Sequence, residues 1–151
     1  MRCAAIPAHA WRPGPAWRQT IFHPFAQASR NGFGQVLKTR IEAPSFVSPH
    51  YGTVSHLVTT TLHDPETGAA TVFALNLHPT EAMTLTVELR GMKGGRELSE
   101  ALELHHHDLK AINSKDAPDE VSPRPHADAR LDGATLTATL KPLSWNVFVT
   151  R

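Results

Sequence analysis

Cysteine is almost absent from this chain. Cys3 is the single cysteine among 151 residues, so the sequence excludes an internal disulfide and any zinc site built from several cysteines. A protein without disulfides is typical of a reducing compartment. We therefore expect a cytoplasmic protein.

The chain also lacks an excess of charge and a long apolar run. Lys plus Arg total 15 and Asp plus Glu total 14, which leaves no surplus of positive charge to neutralise a phosphate backbone or an anionic lipid surface. The first residues lack the apolar core of a signal peptide, and no later run approaches the length of a membrane span. The sequence therefore predicts neither a nucleic-acid partner nor a membrane partner.

Frequent turn residues, by contrast, divide most of the chain into short segments. The sequence contains 12 Pro and 9 Gly, and from residue 34 onwards the runs between turn residues are rich in Val, Thr, Leu and aromatic residues. Such runs predict an all-β fold, an antiparallel β-sandwich of jelly-roll-like type over residues 34–151. Its seven strands are expected within residues 34–40, 52–62, 69–77, 82–90, 97–107, 134–141 and 143–151.

Hydrophobic alternation predicts how three of these strands are covered. Two strands alternate apolar and polar residues, so each should bury one face and leave the other wet. The run from Thr71 to Leu77 is apolar on both sides and should be a central strand. Turns are expected at 64–68 and 90–95, and the polar stretch 108–133 should cross over the sandwich. The inward residues of the two alternating strands are Leu85, Val87, Leu89, Leu136, Ala138 and Leu140.

The first 33 residues differ from the rest. Residues 1–14 show no periodicity and are expected to be unstructured. The run "WRQTIF", residues 17–22, has strand composition, and Pro24 suits the first turn of a short helix that closes near Asn31 and Gly32. A strand that feeds a helix is an α/β pattern, in contrast to the all-β remainder.

Several clusters contain the residue types of catalytic or metal sites, but none predicts such a site. His105, His106 and His107 precede Asp108, but ligands on adjacent residues give poor tetrahedral geometry, so a strand end with one imidazole bonded to the next loop is favoured over zinc. No two glutamates lie together in surroundings that raise a carboxyl pKa, as glycoside hydrolysis requires. No serine nucleophile or phosphate-binding glycine loop is present. We expect no catalytic residue, no metal and no cofactor.

Tryptophan and glutamine side chains remain as candidate sugar contacts. Trp145 alternates with Val147 and Val149, which favours core packing over sugar stacking, whereas Trp17 stays open to either role. Gln19 lies at the end of the predicted strand before the helix, where α/β barrels place binding residues.

Several stretches together resemble one family. "PAWRQTIFHPFAQASRNGFGQVL" resembles the junction between the last barrel strand and the C-terminal domain of family 51 glycoside hydrolases, the intracellular α-L-arabinofuranosidases. "TVFALNLHPTEAMTLTVELRGMKG", "DLKAINSKDAPDEVSPRP" and "LTATLKPLSWNVFV" are similar to that family's C-terminal domain. The resemblance begins near Gly14 and leaves residues 1–13 without a counterpart.

The resemblance implies an enzyme of which this chain is one part. The family has a (β/α)8 barrel that hydrolyses terminal α-L-arabinofuranosyl groups with retention, followed by a β-sandwich. Its two catalytic glutamates belong to barrel strands that would precede Met1, so residues 15–33 are interpreted as the remnant of the last barrel strand and helix. Gln19 is similar to a family residue that touches the arabinose, while His23 stands where many members have Tyr.

Three roles for the chain therefore remain open. The first is a C-terminal domain that is inactive alone and acts on arabinose-containing oligosaccharides only with its barrel, which a separate chain could supply. The second is a free-standing carbohydrate-binding module. The third is an oligomerisation domain, because the family assembles as a hexamer.

Overall fold

A computed structural model describes residues 16–91 and 97–151. The expectation that residues 1–14 are unstructured lies outside this range. The described part contains one helix, α1 (Phe22–Asn31), and eleven strands. These are β1 (Gln35–Leu37), β2 (Ser45–Ser48), β3 (Gly52–Ser55), β4 (Leu57–His63), β5 (Ala70–Asn76), β6 (Met83–Glu88), β7 (Leu98–Leu104), β8 (Arg124–Pro125), β9 (Arg130–Asp132), β10 (Thr135–Leu140) and β11 (Ser144–Thr150).

The strands form two layers and a separate hairpin. A six-stranded sheet has the order β1-β4-β5-β11-β7-β8, and a three-stranded sheet has the order β6-β10-β9, while β2 and β3 pair only with each other. All recorded pairs are antiparallel, so the predicted antiparallel β-sandwich is confirmed. The stretch 108–133 contributes β8 to the first sheet and β9 to the second, so it crosses the sandwich as predicted.

The main core lies between the two sheets. β6 and β10 bury alternate residues, which confirms their predicted wet and dry faces. β5 is buried along nearly its whole length between β4 and β11, as expected of a central strand. The fully or nearly buried residues of this core are Leu57, Val72, Ala74, Leu85, Leu136, Ala138, Leu140 and Phe148.

The predicted turn at 64–68 is also confirmed. It joins β4 to β5, and Gly68 has the positive φ of 76° that glycine adopts easily. The Asp64 carboxylate accepts hydrogen bonds from the Thr67 hydroxyl at 2.7 Å and the Glu66 N–H at 2.9 Å. These bonds lower the pKa of Asp64 below its ordinary value. The other predicted turn begins at Arg90 and Gly91, and its remaining residues lie outside the described part.

The predicted set of seven strands was incomplete. The run 52–62 is two strands, β3 and β4, that meet at His56. Three short strands, β2, β8 and β9, were missed because each has four residues or fewer and two of them lie in stretches dominated by polar and turn residues. Strands of this length form through their tertiary partners, and local composition does not predict them.

The predicted strand over Trp17–Phe22 was wrong. Residues 16–19 have no regular structure, and α1 begins at Phe22, two residues before Pro24. The N–H groups of Phe22 and His23 donate to the carbonyls of Gln19 and Thr20, so the backbone turns into the helix. A strand needs a neighbour for its hydrogen bonds, and no strand of the described residues lies beside this segment. The predicted helix itself is confirmed.

Gly34 has a backbone conformation and close surroundings that leave no space for a side chain. Its φ is +96°, and a Cβ there would overlap the carbonyl oxygen of His63 and lie 2.9 Å from the Asp64 nitrogen. We expect Gly34→Ala to lower the free energy of unfolding by at least about 3 kcal/mol, the sum of left-handed strain and the backbone overlap. Gly52→Ala is the matched control, because Gly52 also has a positive φ, +70°, but open space around it. The control should cost about 1 kcal/mol. Equal costs in urea denaturation would show that the contact with β4 is unimportant.

Candidate functional site

Helix α1 packs on the outer face of the six-stranded sheet. This face carries a second apolar cluster, which consists of Leu62, Phe73, Trp145, Val147 and Val149. The Trp145 ring stacks on Phe73 at 5.5 Å, and its indole N–H donates to the Gln27 side-chain oxygen at 2.6 Å. The predicted core position of Trp145 is therefore confirmed. One turn further along α1, the Asn31 amide donates to Glu100 of β7 at 3.0 Å.

The helix bonds to the sheet through two polar residues, Gln27 and Asn31. His23, Gln27 and Asn31 are spaced four residues apart and so share one face, and both His23 and Gln27 are buried. Burial lowers the pKa of the His23 imidazole below its ordinary value, and the positive charge of Arg18 lowers it further. The Nε2 atoms of His23 and Gln27 have no hydrogen-bond partner among the described residues. The hydrogen bonds of Gln27 and Asn31 hold this helix on the sheet in addition to apolar burial.

The opposite side of this segment is apolar and uncovered. Phe25 is 71% exposed, and Phe33, just after the helix, is 68% exposed. The Arg18 guanidinium lies 5.1 Å from the centre of the Phe22 ring, which covers that ring in part. Exposed apolar patches of this kind mark contact surfaces in proteins. We call the exposed large apolar side chains of α1 and of the residues beside it the aromatic face; they are Trp17, Ile21, Phe22, Phe25 and Phe33.

Gln19, the predicted sugar contact, lies directly before α1. It is exposed, and its carbonyl accepts the first helical hydrogen bond from the Phe22 N–H at 2.9 Å. The carbonyl of Arg18, the residue before it, accepts a bond from the Asn113 side chain at 2.9 Å. No local pattern predicts this contact, because residues 18 and 113 are far apart in the chain and an asparagine in a polar loop is common.

A cavity of about 310 Å³ lies between the segment before α1, the end of the sheet and the loop after β7. Its lining is mostly apolar, with Leu75, Leu104 and Trp145 from the sheet and Thr20 from the segment that precedes the helix. His105 and His106 line it from the loop side, and the N–H of Asp108 donates to His106 Nδ1 at 3.1 Å. Within residues 16–91 and 97–151, no three His, Cys, Asp or Glu side chains are placed to hold a metal ion.

Three carboxylates of the sandwich, those of Asp64, Glu103 and Asp128, have structural partners. Glu103 is buried and accepts a 2.6 Å bond from the Lys141 ammonium. The pKa of Asp128, like that of Asp64, is lowered, and the hydrogen bond from Thr139 is the main cause. A glycosidase acid needs a raised pKa, so neither Asp64 nor Asp128 suits that role. No helix in the described part of the chain is long and apolar enough to cross a membrane.

Comparison with known proteins decides the family. A model of the α-L-arabinofuranosidase C-terminal domain matches residues 3–144. The chain belongs to this family. The resemblance found in the sequence is therefore confirmed, and the match begins at residue 3, within the stretch 1–13 for which the resemblance predicts no counterpart.

Relatives of this α-L-arabinofuranosidase C-terminal domain are longer proteins. An intracellular exo-α-(1→5)-L-arabinofuranosidase from Streptomyces lividans is 41% identical over 136 residues, which are 88% of this chain and 20% of that protein. The enzyme of the same name from Halalkalibacterium halodurans is 38% identical over 134 residues, 89% of this chain and 26% of the relative. A solved structure of a family 51 α-L-arabinofuranosidase from Bifidobacterium longum superposes with a TM-score of 0.83 at 34% identity, covering 91% of this chain and 27% of that one. The chain thus spans about a quarter or less of the length of these relatives.

Proposed function

We propose that this α-L-arabinofuranosidase C-terminal domain supports a catalytic (β/α)8 barrel supplied by polypeptide outside residues 16–151, and that it has no hydrolytic activity alone. The observation that carries the proposal is the two-sided helix α1. Its polar face is bonded to the sandwich through Gln27 and Asn31, whereas its aromatic face is exposed. A helix that is bonded to one domain on its polar face and exposes apolar side chains on the other is typical of an interface between two domains. The barrel is the domain that would bury the aromatic face.

The segment before the helix fits the same proposal. Residues 17–22 have strand composition but lack a neighbouring strand in the described chain. In the complete enzyme the residues that precede the turn into α1 would pair with barrel strands, and Gln19 would then lie at the carboxyl end of the last strand, where barrel enzymes bind substrate. We therefore assign Gln19 to the binding of the terminal arabinofuranosyl group.

The names of the relatives support a proposal for the substrates and the location of the enzyme. Their names describe intracellular enzymes that cleave α-(1→5)-linked L-arabinofuranosyl groups, which supports arabinan-derived oligosaccharides as substrates and the cytoplasm as the location. Arabinoxylan-derived oligosaccharides are proposed on the family resemblance alone. A homo-oligomer, such as the family hexamer, would cover further apolar surface. Both catalytic glutamates would come from the barrel.

A chimera tests the assignment of Gln19. The part of the Halalkalibacterium halodurans relative that precedes the aligned region is fused to residues 16–151, and hydrolysis of an aryl α-L-arabinofuranoside is measured. Gln19→Ala should lower kcat/KM about tenfold, because a hydrogen bond to the sugar is lost from the transition state. Gln35→Ala, an exposed glutamine on β1, is the matched control and should leave kcat/KM unchanged. Equal rates for the Gln19 and Gln35 variants would refute the assignment.

A further inference from the structure

The loop between β7 and β8 contains one side chain that is both buried and fully bonded. Asn113 is 1% exposed. Its amide nitrogen donates to the carbonyls of Arg18 and Val121, each at 2.9 Å, and its oxygen accepts the Val121 N–H at 2.7 Å. Both amide protons and the oxygen are thus used, so the side chain has one orientation that satisfies it.

The bonds to Val121 make Asn113 a fixed donor. They close the stretch "NSKDAPDEV", residues 113–121, into a loop, and Val121 is itself buried. Within the loop, the Ser114 N–H donates to the Ala117 carbonyl at 3.0 Å, and the Ala117 N–H donates to the Ser114 hydroxyl at 3.1 Å. The remaining bond of Asn113 leaves the loop and reaches a residue 95 positions away. The loop therefore holds Asn113 rigidly, and Asn113 holds Arg18.

The carbonyl of Arg18 belongs to the same planar peptide unit as the nitrogen of Gln19. A bond to that carbonyl therefore limits rotation of the peptide unit before Gln19. The carbonyl of Gln19 is fixed in turn by the Phe22 N–H at 2.9 Å. The backbone of Gln19 is held on both sides, from the loop and from α1, while its side chain remains exposed.

We propose that Asn113 is a positioning residue for Gln19. The sandwich domain thus contributes to substrate binding through the peptide unit that precedes the sugar contact. This inference rests on the proposed function, because Gln19 must touch the arabinose. It adds a specific role for the "DLKAINSKDAPDEVSPRP" stretch, which otherwise only marks the family.

The test is a double-mutant cycle in the chimera. Asn113→Asp keeps the size of the side chain but replaces the donor to Arg18 and Val121 by an acceptor. We expect it to lower kcat/KM about fivefold to tenfold, mainly through a higher KM, when Gln19 is present. In the Gln19→Ala background the same substitution should change kcat/KM less than about twofold, because the group it positions is gone. Hydrogen exchange of residues 16–22 should become faster in the Asn113 variant.

Control variants separate this role from general damage to the loop. Ser114→Ala removes a bond within the loop but has no contact with Arg18, so it should leave kcat/KM and exchange of residues 16–22 unchanged. Asn113→Ala, which brings no charge against the two carbonyls, replaces Asn113→Asp if the latter does not fold. Equal losses with and without Gln19, or no loss at all, would overturn the role of Asn113 alone. Absence of turnover in the unmodified chimera, or no effect of Gln19→Ala, would overturn the proposed function and this inference with it.

Discussion

Replacing Phe25 by Asp is expected to leave the melting temperature of the isolated domain almost unchanged and to lower that of the same domain in the chimera. In residues 16–151 alone, the melting temperature should change by less than about 2 °C, because Phe25 is 71% exposed there. In the chimera, the transition of the C-terminal domain should fall by roughly 10 °C, since a charge would replace an aromatic side chain buried against the barrel. Differential scanning calorimetry of the two proteins measures both changes.

Arg30→Gln is the control for this comparison. Arg30 is exposed in the last turn of α1 but lies outside the aromatic face, so its replacement should be almost neutral in both settings. Phe25→Asp would contradict the account if it were as mild in the chimera as in the isolated domain. A large loss in the isolated domain would instead mean that the aromatic face is already covered without the barrel.

Phe148→Ala should remove a large part of the stability of the isolated domain. Phe148 is fully buried on β11, between the two sheets, and packs against the His126 ring at 5.3 Å. Loss of a buried phenyl ring costs about 3–5 kcal/mol, and a domain of this size has only about 5–15 kcal/mol in total. Urea denaturation followed by tryptophan fluorescence gives the free energy of unfolding.

The matched control is Val36→Ala on the edge strand β1. Val36 is 70% exposed, so its truncation should cost less than about 0.5 kcal/mol. A cost below about 1 kcal/mol for Phe148→Ala would mean that the interior between the sheets does not stabilise the fold as described.

The sandwich could be predicted where the pattern of side chains is local. Leu85 and Val87 on β6 alternate with threonines, and the central strand β5 is mostly apolar on both sides. The period and composition of these segments were therefore sufficient to predict both strands and their buried faces. β8 is two residues long and contains Pro125, and it exists because Leu102 and Glu103 of β7 lie beside it. Because β7 and β8 are far apart in the chain, no local pattern of residues predicts that they pair.

The site was predicted less completely than the fold. The resemblance identified the family and drew attention to Gln19, but strand composition at 17–22 was misleading, because a strand also requires neighbours. The bonds that fix this segment join Trp145 to Gln27 and Asn113 to Arg18, pairs separated by 118 and 95 residues. Neither pair follows from composition or spacing. Only the folded chain brings these side chains together.

The central claim is that this domain supports chemistry that it does not perform. The most direct measurement is the rate of hydrolysis of an aryl α-L-arabinofuranoside by the 151-residue chain alone, beside the chimera at equal concentration. The account predicts a rate for the chain that equals the uncatalysed background and a clear turnover for the chimera. Turnover by the chain alone that disappears when one of its own glutamates is replaced by glutamine would contradict it.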